Sequence, residues 1–304
     1  MPAASNEHIL RVRAAPRDPM FSAAMRLVCA PSRGISVLTP ARPYNIIITT
    51  YYAVRWLMDY AARYREWLDE AELTADERER LLSMTEEERK ECFWSPLEFG
   101  TAGMRGIIDL GVNRMNRFTV GRATKGLADY VCSLGEDAKK RGVVIARDTR
   151  RKSDEFAVLT AKILAASGIR VYLFEDVRPV PMCSFAIRLL GAEAGVMITA
   201  SHNPKVYNGY KVYGADGAQM SPESTDKVVE FIEKTPYFGI KAIDAPFTAA
   251  DVKGLDGKEI APFVTVIGAG VDREYSAAAD RLGTPPAAVG ARGGKDNLRS
   301  TAGP

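Results

Sequence analysis

The sequence predicts an α/β protein built as a three-layer α/β/α domain with a mostly parallel sheet. Three observations carry this. Short apolar runs suited to buried strands recur at Val143–Ala146, Ile169–Phe174 and Val196–Ile198. Segments of helical periodicity separate them, so the strands pair mostly in parallel through right-handed crossovers, with helices on both faces. Composition fits a soluble folded chain: 304 residues, 46% hydrophobic and 26% charged.

Taken in order, residues 1–57 carry seven Arg and no Lys against Glu7 and Asp18. They hold a net +5 of the overall +3, which leaves the body slightly acidic and gives no argument for nucleic acid. This Arg-rich, acid-poor start reads either as an organelle transit segment or as an extension outside the domain, and the extension is favoured. The apolar stretch from Tyr44 to Met58 contains Arg55 and is too short to cross a bilayer. The four cysteines show no C-x-x-C or zinc spacing, which fits a reducing, cytoplasmic location.

From Asp59 the composition turns helical. Tyr60, Tyr64, Trp67 and Leu68 form an amphipathic face, and Thr74–Glu77 and Thr85–Glu88 read as capping boxes. The charged run from Asp76 to Lys90 reads as a solvated helical face. Leu97–Gly106 is a glycine-rich turn in which Gly100, Gly103 and Gly106 allow close backbone approach, with Arg105 as a forked cation for phosphate. A helix is expected from about Phe118 to Leu134. The strand Val143–Ala146 then runs into Arg147-Asp-Thr-Arg150. Ser153 is expected to cap a helix that closes at Gly168, Pro181 to open one reaching Leu190, and Ser221-Pro222 to start one reaching Lys234.

The chemistry concentrates at Thr199-Ala-Ser-His-Asn-Pro204. The buried-strand run stops at Thr199, and Pro204 forces the chain out of the sheet. Ser201, His202, Asn203, Lys205 and Lys211 therefore sit at or near a strand's carboxyl end, where open α/β sheets bind ligands. A serine hydrolase is disfavoured because no Gly-x-Ser-x-Gly elbow is present.

The hexapeptide, with Tyr207-Asn-Gly209 and Lys211 behind it, resembles the phosphoserine loop of the α-D-phosphohexomutases, the family of phosphoglucomutases and phosphomannomutases. Leu97–Gly106 resembles that family's first conserved loop, and with Asn113-Arg-Met-Asn116 it looks most like the phosphoglucomutase and phosphopentomutase branch. Arg147–Arg150 looks like a further family loop. The resemblance covers residues 58–240 and implies the fold of the family's first domain. It implies a phosphoserine at Ser201, with His202, Lys211 and Arg105 catalytic and Thr101, Gly103, Asn203 and Arg150 binding substrate or phosphate. The implied reaction moves phosphate within a phosphosugar, of the glucose-1-phosphate to glucose-6-phosphate type. It runs through glucose-1,6-bisphosphate, with Mg²⁺ bridging a Ser201 phosphate oxygen to three carboxylates. No Asp-Gly-Asp-x-Asp-Arg metal loop is present, and Asp280-Arg281 is its nearest fragment. The family's sugar-discriminating Gly-Glu-x-Ser-Gly loop and its distal phosphate-binding domain have no counterpart either, so the sugar stays undecided. Residues 241–304 are accordingly expected to be a linker remnant and flexible tail. The chain is expected to behave as a fragment, weak or inactive as a mutase and self-associating through the face left for a second domain. The rival expectation is a non-catalytic remnant that at most binds phosphosugar. No membrane or nucleic-acid partner is expected.

Overall fold

The computed structural model describes residues 60–101 and 103–282. The expectations for residues 1–57 and 283–304 lie outside these.

A helix over residues 60–70 (α1) is followed by α2 (Ala75–Ser83) and α3 (Glu86–Phe93). Thr74 and Thr85 both complete capping boxes, each side chain accepting from the amide three residues on while Glu77 or Glu88 reaches back. These three helices build their own small core around Trp67, with Phe93 and Phe118 edge-on to the indole at 5.5 and 4.9 Å. The charged run is only partly solvated, because Arg80 pairs with Glu88 and Asp109, and Glu77 with Arg117.

One seven-stranded sheet follows: β1 (Met104–Ile107), β2 (Val143–Arg147), β3 (Val171–Phe174), β4 (Ala194–Ile198), β5 (Tyr207–Gly214), β6 (Glu259–Ala261) and β7 (Val264–Ile267). Their order is β1-β5-β4-β2-β3-β7-β6. The four central strands β4, β2, β3 and β7 are parallel, while β5 and β6 run against their neighbours. Being antiparallel to β5, β1 points with the majority.

Alternation along the strands feeds two cores. Val143, Ile145, Val171, Val196 and Val264 face helices α4 (Arg117–Ser133), α6 (Ser153–Ala166) and α8 (Pro222–Lys234). Val144, Ala146, Phe174 and Met197 face α7 (Val180–Leu190) and α9 (Ala269–Leu282). A short helix, Glu136–Arg141, is α5. Helices on both faces of a sheet buried from both sides make the expected α/β/α layering.

Three expectations are corrected. The segment after residue 240 is not merely a linker: β7 pairs in parallel with β3 from Val171↔Val264 to Phe174↔Ile267, and β6 folds back on β7, so the sheet continues through residues 259–267. The glycine-rich turn contains an edge strand, β1, zipped to β5. Ser153 is not the cap of its helix; Lys152, in a left-handed conformation, holds that position, and the Ser153 hydroxyl is buried in other work.

Candidate functional site

β2 is followed in sequence by its neighbour on one side, β3, and β4 by its neighbour on the other, β5. The chain order therefore reverses between β2 and β4, and a crevice at such a point, outside the carboxyl ends, is where open α/β sheets bind ligands. The two loops there are residues 148–152 after β2 and residues 199–206, the turn of the β4–β5 hairpin.

The hairpin turn carries Ser201 in the left-handed region, φ 55°, which costs a non-glycine residue about 1–2 kcal/mol. Hydrogen bonds on both sides of the residue hold it there. The Ser201 amide donates to Thr199 Oγ1 at 3.0 Å, and the Ser201 carbonyl accepts from Arg150 Nη2 at 2.7 Å. Thr199 Oγ1 in turn donates to Asp148 Oδ2 at 2.6 Å. The other Asp148 oxygen accepts from the Arg150 amide and from Ser153 Oγ, both at 3.0 Å. Asn208, fully buried, ties β5 to the same loop by donating to the Arg151 carbonyl and to Ser153 Oγ.

The Ser201 hydroxyl is exposed and accepts from Lys211 Nζ at 2.7 Å. Strand register explains the arrival of both cations. Lys211 pairs with Met197 on β4, and Arg105 of β1 pairs with Gly209 of β5, two residues from Lys211 and so on the same face. Gly209 has no side chain to interpose. A Cβ there would lie 2.6 Å from the Thr199 carbonyl, 3.0 Å from that of Met104 and 3.5 Å from Arg105 Cγ. Arg105 thus crosses to the serine loop, where Nη1 donates to Asn203 Oδ1 at 2.6 Å. Partial burial, and then the Arg105 charge, hold the Lys211 ammonium below its ordinary pKa. A partly buried cation beside an exposed hydroxyl is suited to receive an anion.

The predicted residues divide. Ser201, Lys211, Arg105 and Asn203 come together. His202 is exposed and makes no side-chain hydrogen bond with the described residues, and Lys205 projects outward. Gly103, φ 82°, doubles back on Gly100 against β5, where a Cβ would meet the Tyr210 carbonyl at 1.9 Å; its freedom shapes the turn, and Thr101 is exposed at the tip. Arg150 departs from the expectation of a phosphate ligand. Its guanidinium donates to the carbonyls of Ser201, Asn203, Pro204 and Tyr207 at 2.7–3.1 Å, and Nε lies 3.3 Å from Asp148. Asp148, Thr199, Ser153 and Asn208 escaped the sequence reading as site-builders. The one available signal was that each lies in or next to a segment already singled out.

Asp148 offers no free metal-binding oxygen, since both of its oxygens are engaged. Among the described residues no group of three His, Cys, Asp or Glu side chains is placed to hold a metal ion. The described residues therefore do not by themselves supply the three carboxylates of the expected Mg²⁺ site. No helix among the described residues is long and apolar enough to cross a membrane.

Residues 96–237 match the family described as phosphoglucomutase/phosphomannomutase, alpha/beta/alpha domain I. A phosphoglucomutase of Staphylococcus epidermidis is 49% identical over 152 residues, which cover 50% of this chain and 27% of that protein. A phosphoglucomutase of Staphylococcus aureus is 47% identical over 147 residues, 48% of this chain and 26% of that protein. The crystal structure of a phosphomannomutase-like protein of Thermus thermophilus matches with a TM-score of 0.42 at 32% identity, over 49% of this chain and 31% of that one. The chain thus spans about a quarter of the length of the curated relatives it matches.

Proposed function

We propose that the region matching domain I of the phosphoglucomutase/phosphomannomutase family, residues 96–237, carries the phosphoryl-bearing serine of a phosphosugar mutase, with Ser201 as the carrier. The observation that supports this best is the exposed Ser201 Oγ, 2.7 Å from Lys211 Nζ, in a strained turn that hydrogen bonds to Thr199 and Arg150 keep in place. In the proposed reaction a sugar hydroxyl oxygen bonds to the phosphorus of phosphoserine 201 as the phosphorus–Oγ bond breaks. The displaced serine oxygen takes a proton from Lys211, which regains the one that the sugar hydroxyl loses, so that the net proton moves from sugar to serine; the reverse step returns the sugar's other phosphate to Ser201. Lys211 and Arg105 counter the charge of the phosphoryl group, and Asn203, fixed by Arg105, borders it. His202 is left the part of a mobile proton partner, and the exposed Thr101 that of a substrate contact.

Glucose-1,6-bisphosphate as phosphoryl donor, a glucose phosphate as substrate and a cytoplasmic location belong to the same proposal. Mg²⁺ dependence also stays a proposal, and no step here runs through the ion.

The test is incubation of the protein with glucose-1,6-bisphosphate and Mg²⁺, followed by intact-mass and peptide mapping. One added phosphate on the peptide containing Ser201, abolished in Ser201→Ala, is expected. Phosphate found reproducibly on Thr199 or Ser221, with Ser201 unmodified, would overturn the assignment.

A further inference from the structure

The Arg150 side chain is only 13% exposed, and although the residue borders an open cavity with Arg147, Arg151 and Lys152, its guanidinium donors are taken up elsewhere. It reaches from the loop after β2 across to the β4–β5 hairpin and donates to four backbone carbonyls: Ser201 and Asn203 through Nη2, Pro204 and Tyr207 through Nη1. Only a planar fork with five donors can serve carbonyls at both ends of a turn in this way; an ammonium on a flexible stem cannot. Asp148 fixes the fork, with Oδ2 at 3.3 Å from Nε. Through Thr199 the same carboxylate also governs the Ser201 amide. The groups on either side of the residue with φ 55° therefore answer to one Asp–Arg pair. A serine held in that region unaided would relax toward the ordinary basins, and its hydroxyl would leave Lys211.

We infer that Arg150 is a positioning residue: with Asp148 it holds Ser201 in the left-handed conformation that presents its hydroxyl to Lys211, and it does not bind the ligand itself. The inference rests on the reading of Ser201 as the phosphoryl carrier, and it deepens that reading by separating the residues that touch phosphate from the one that holds the carrier. Because Arg150 acts on the turn's carbonyls, its loss changes the rate of phosphoryl acceptance and leaves ligand affinity alone.

The experiment compares wild type, Arg150→Ala and Arg150→Lys by two readouts. The first is the rate of Ser201 phosphorylation as a function of glucose-1,6-bisphosphate concentration. Misplacement of a reacting group by an ångström costs on the order of a hundredfold. The maximal rate is therefore expected to fall about ten- to a hundredfold in both variants, with the half-saturating concentration unchanged. Guanidinium added to Arg150→Ala at a non-denaturing concentration should restore part of the rate, and Lys should not substitute. The second readout is independent of any reaction. NMR backbone shifts of Ser201 should report the left-handed conformation in wild type, average toward ordinary values in Arg150→Ala, and return with guanidinium. An Arg150→Ala protein that keeps the left-handed Ser201 shifts overturns the inference. So does one whose half-saturating concentration rises while its maximal rate holds, since Arg150 would then be a ligand contact. If wild type takes no phosphate while the shifts respond as expected, the carrier reading fails and the positioning role stands.

Discussion

Gly209→Ala is the sharpest probe of how the site is assembled. The new methyl would sit 2.6 Å from the Thr199 carbonyl oxygen and 3.0 Å from that of Met104, against an ordinary limit near 3.4 Å. Both obstacles are backbone, one just past the end of β4 and one on β1, so neither can rotate away. Overpacking of this kind costs about 1–3 kcal/mol. The substitution also restricts the unfolded chain, which returns about 0.4–1 kcal/mol. A net loss of about 1–2 kcal/mol is therefore expected, a sizeable part of a typical 5–15 kcal/mol total. Opening the gap between β1 and the serine turn also draws Arg105 away from Asn203 Oδ1. Equilibrium urea unfolding, with two-dimensional NMR of the Arg105 and Asn203 side chains, would measure both effects. A variant as stable as wild type, with the Arg105–Asn203 contact intact, would refute the account of Gly209 as the opening that lets Arg105 cross.

The remaining predictions concern the serine and its lysine. Ser201→Gly should be more stable than Ser201→Ala by about 0.5–1 kcal/mol in urea unfolding, because glycine adopts φ 55° freely whereas alanine pays the left-handed penalty; the reverse order would mean that the turn changes conformation once the hydroxyl is gone. Lys211 has a folded pKa below its ordinary 10.5, so its charged form is less favourable in the fold than in the unfolded chain. The penalty is complete at neutral pH, and it is relieved as pH rises through the window between the lowered folded value and 10.5. Lys211→Met should therefore raise stability at neutral pH and lose that advantage across the window. A variant less stable than wild type at neutral pH would count against burial and Arg105 as the cause of the shift.

What the sequence determined by itself was most of what is set within a few residues, the cap expected at Ser153 being an exception. The apolar runs at Val143–Ala146 and Val196–Ile198 had no soluble alternative to burial, and both are central strands. Thr74 and Thr85 cap as read, because a capping box closes over four residues. Pro204 and the turn composition before it put Ser201 at a strand's carboxyl end. What only the tertiary structure decided depends on strand order and register. Residues 259–267 are too short a pair of strands to signal themselves, and they become strands because β3 offers an open edge to β7. Met104–Ile107, hidden among glycines, is a strand because β5 pairs with it. Arg150 reads in sequence as a free cation for phosphate. It is committed to carbonyls 51–57 residues away because β2 and β4 lie side by side and bring their loops together. Propensity and capping act along the chain, whereas a side chain's partners across a sheet are fixed only once the strands have chosen their neighbours.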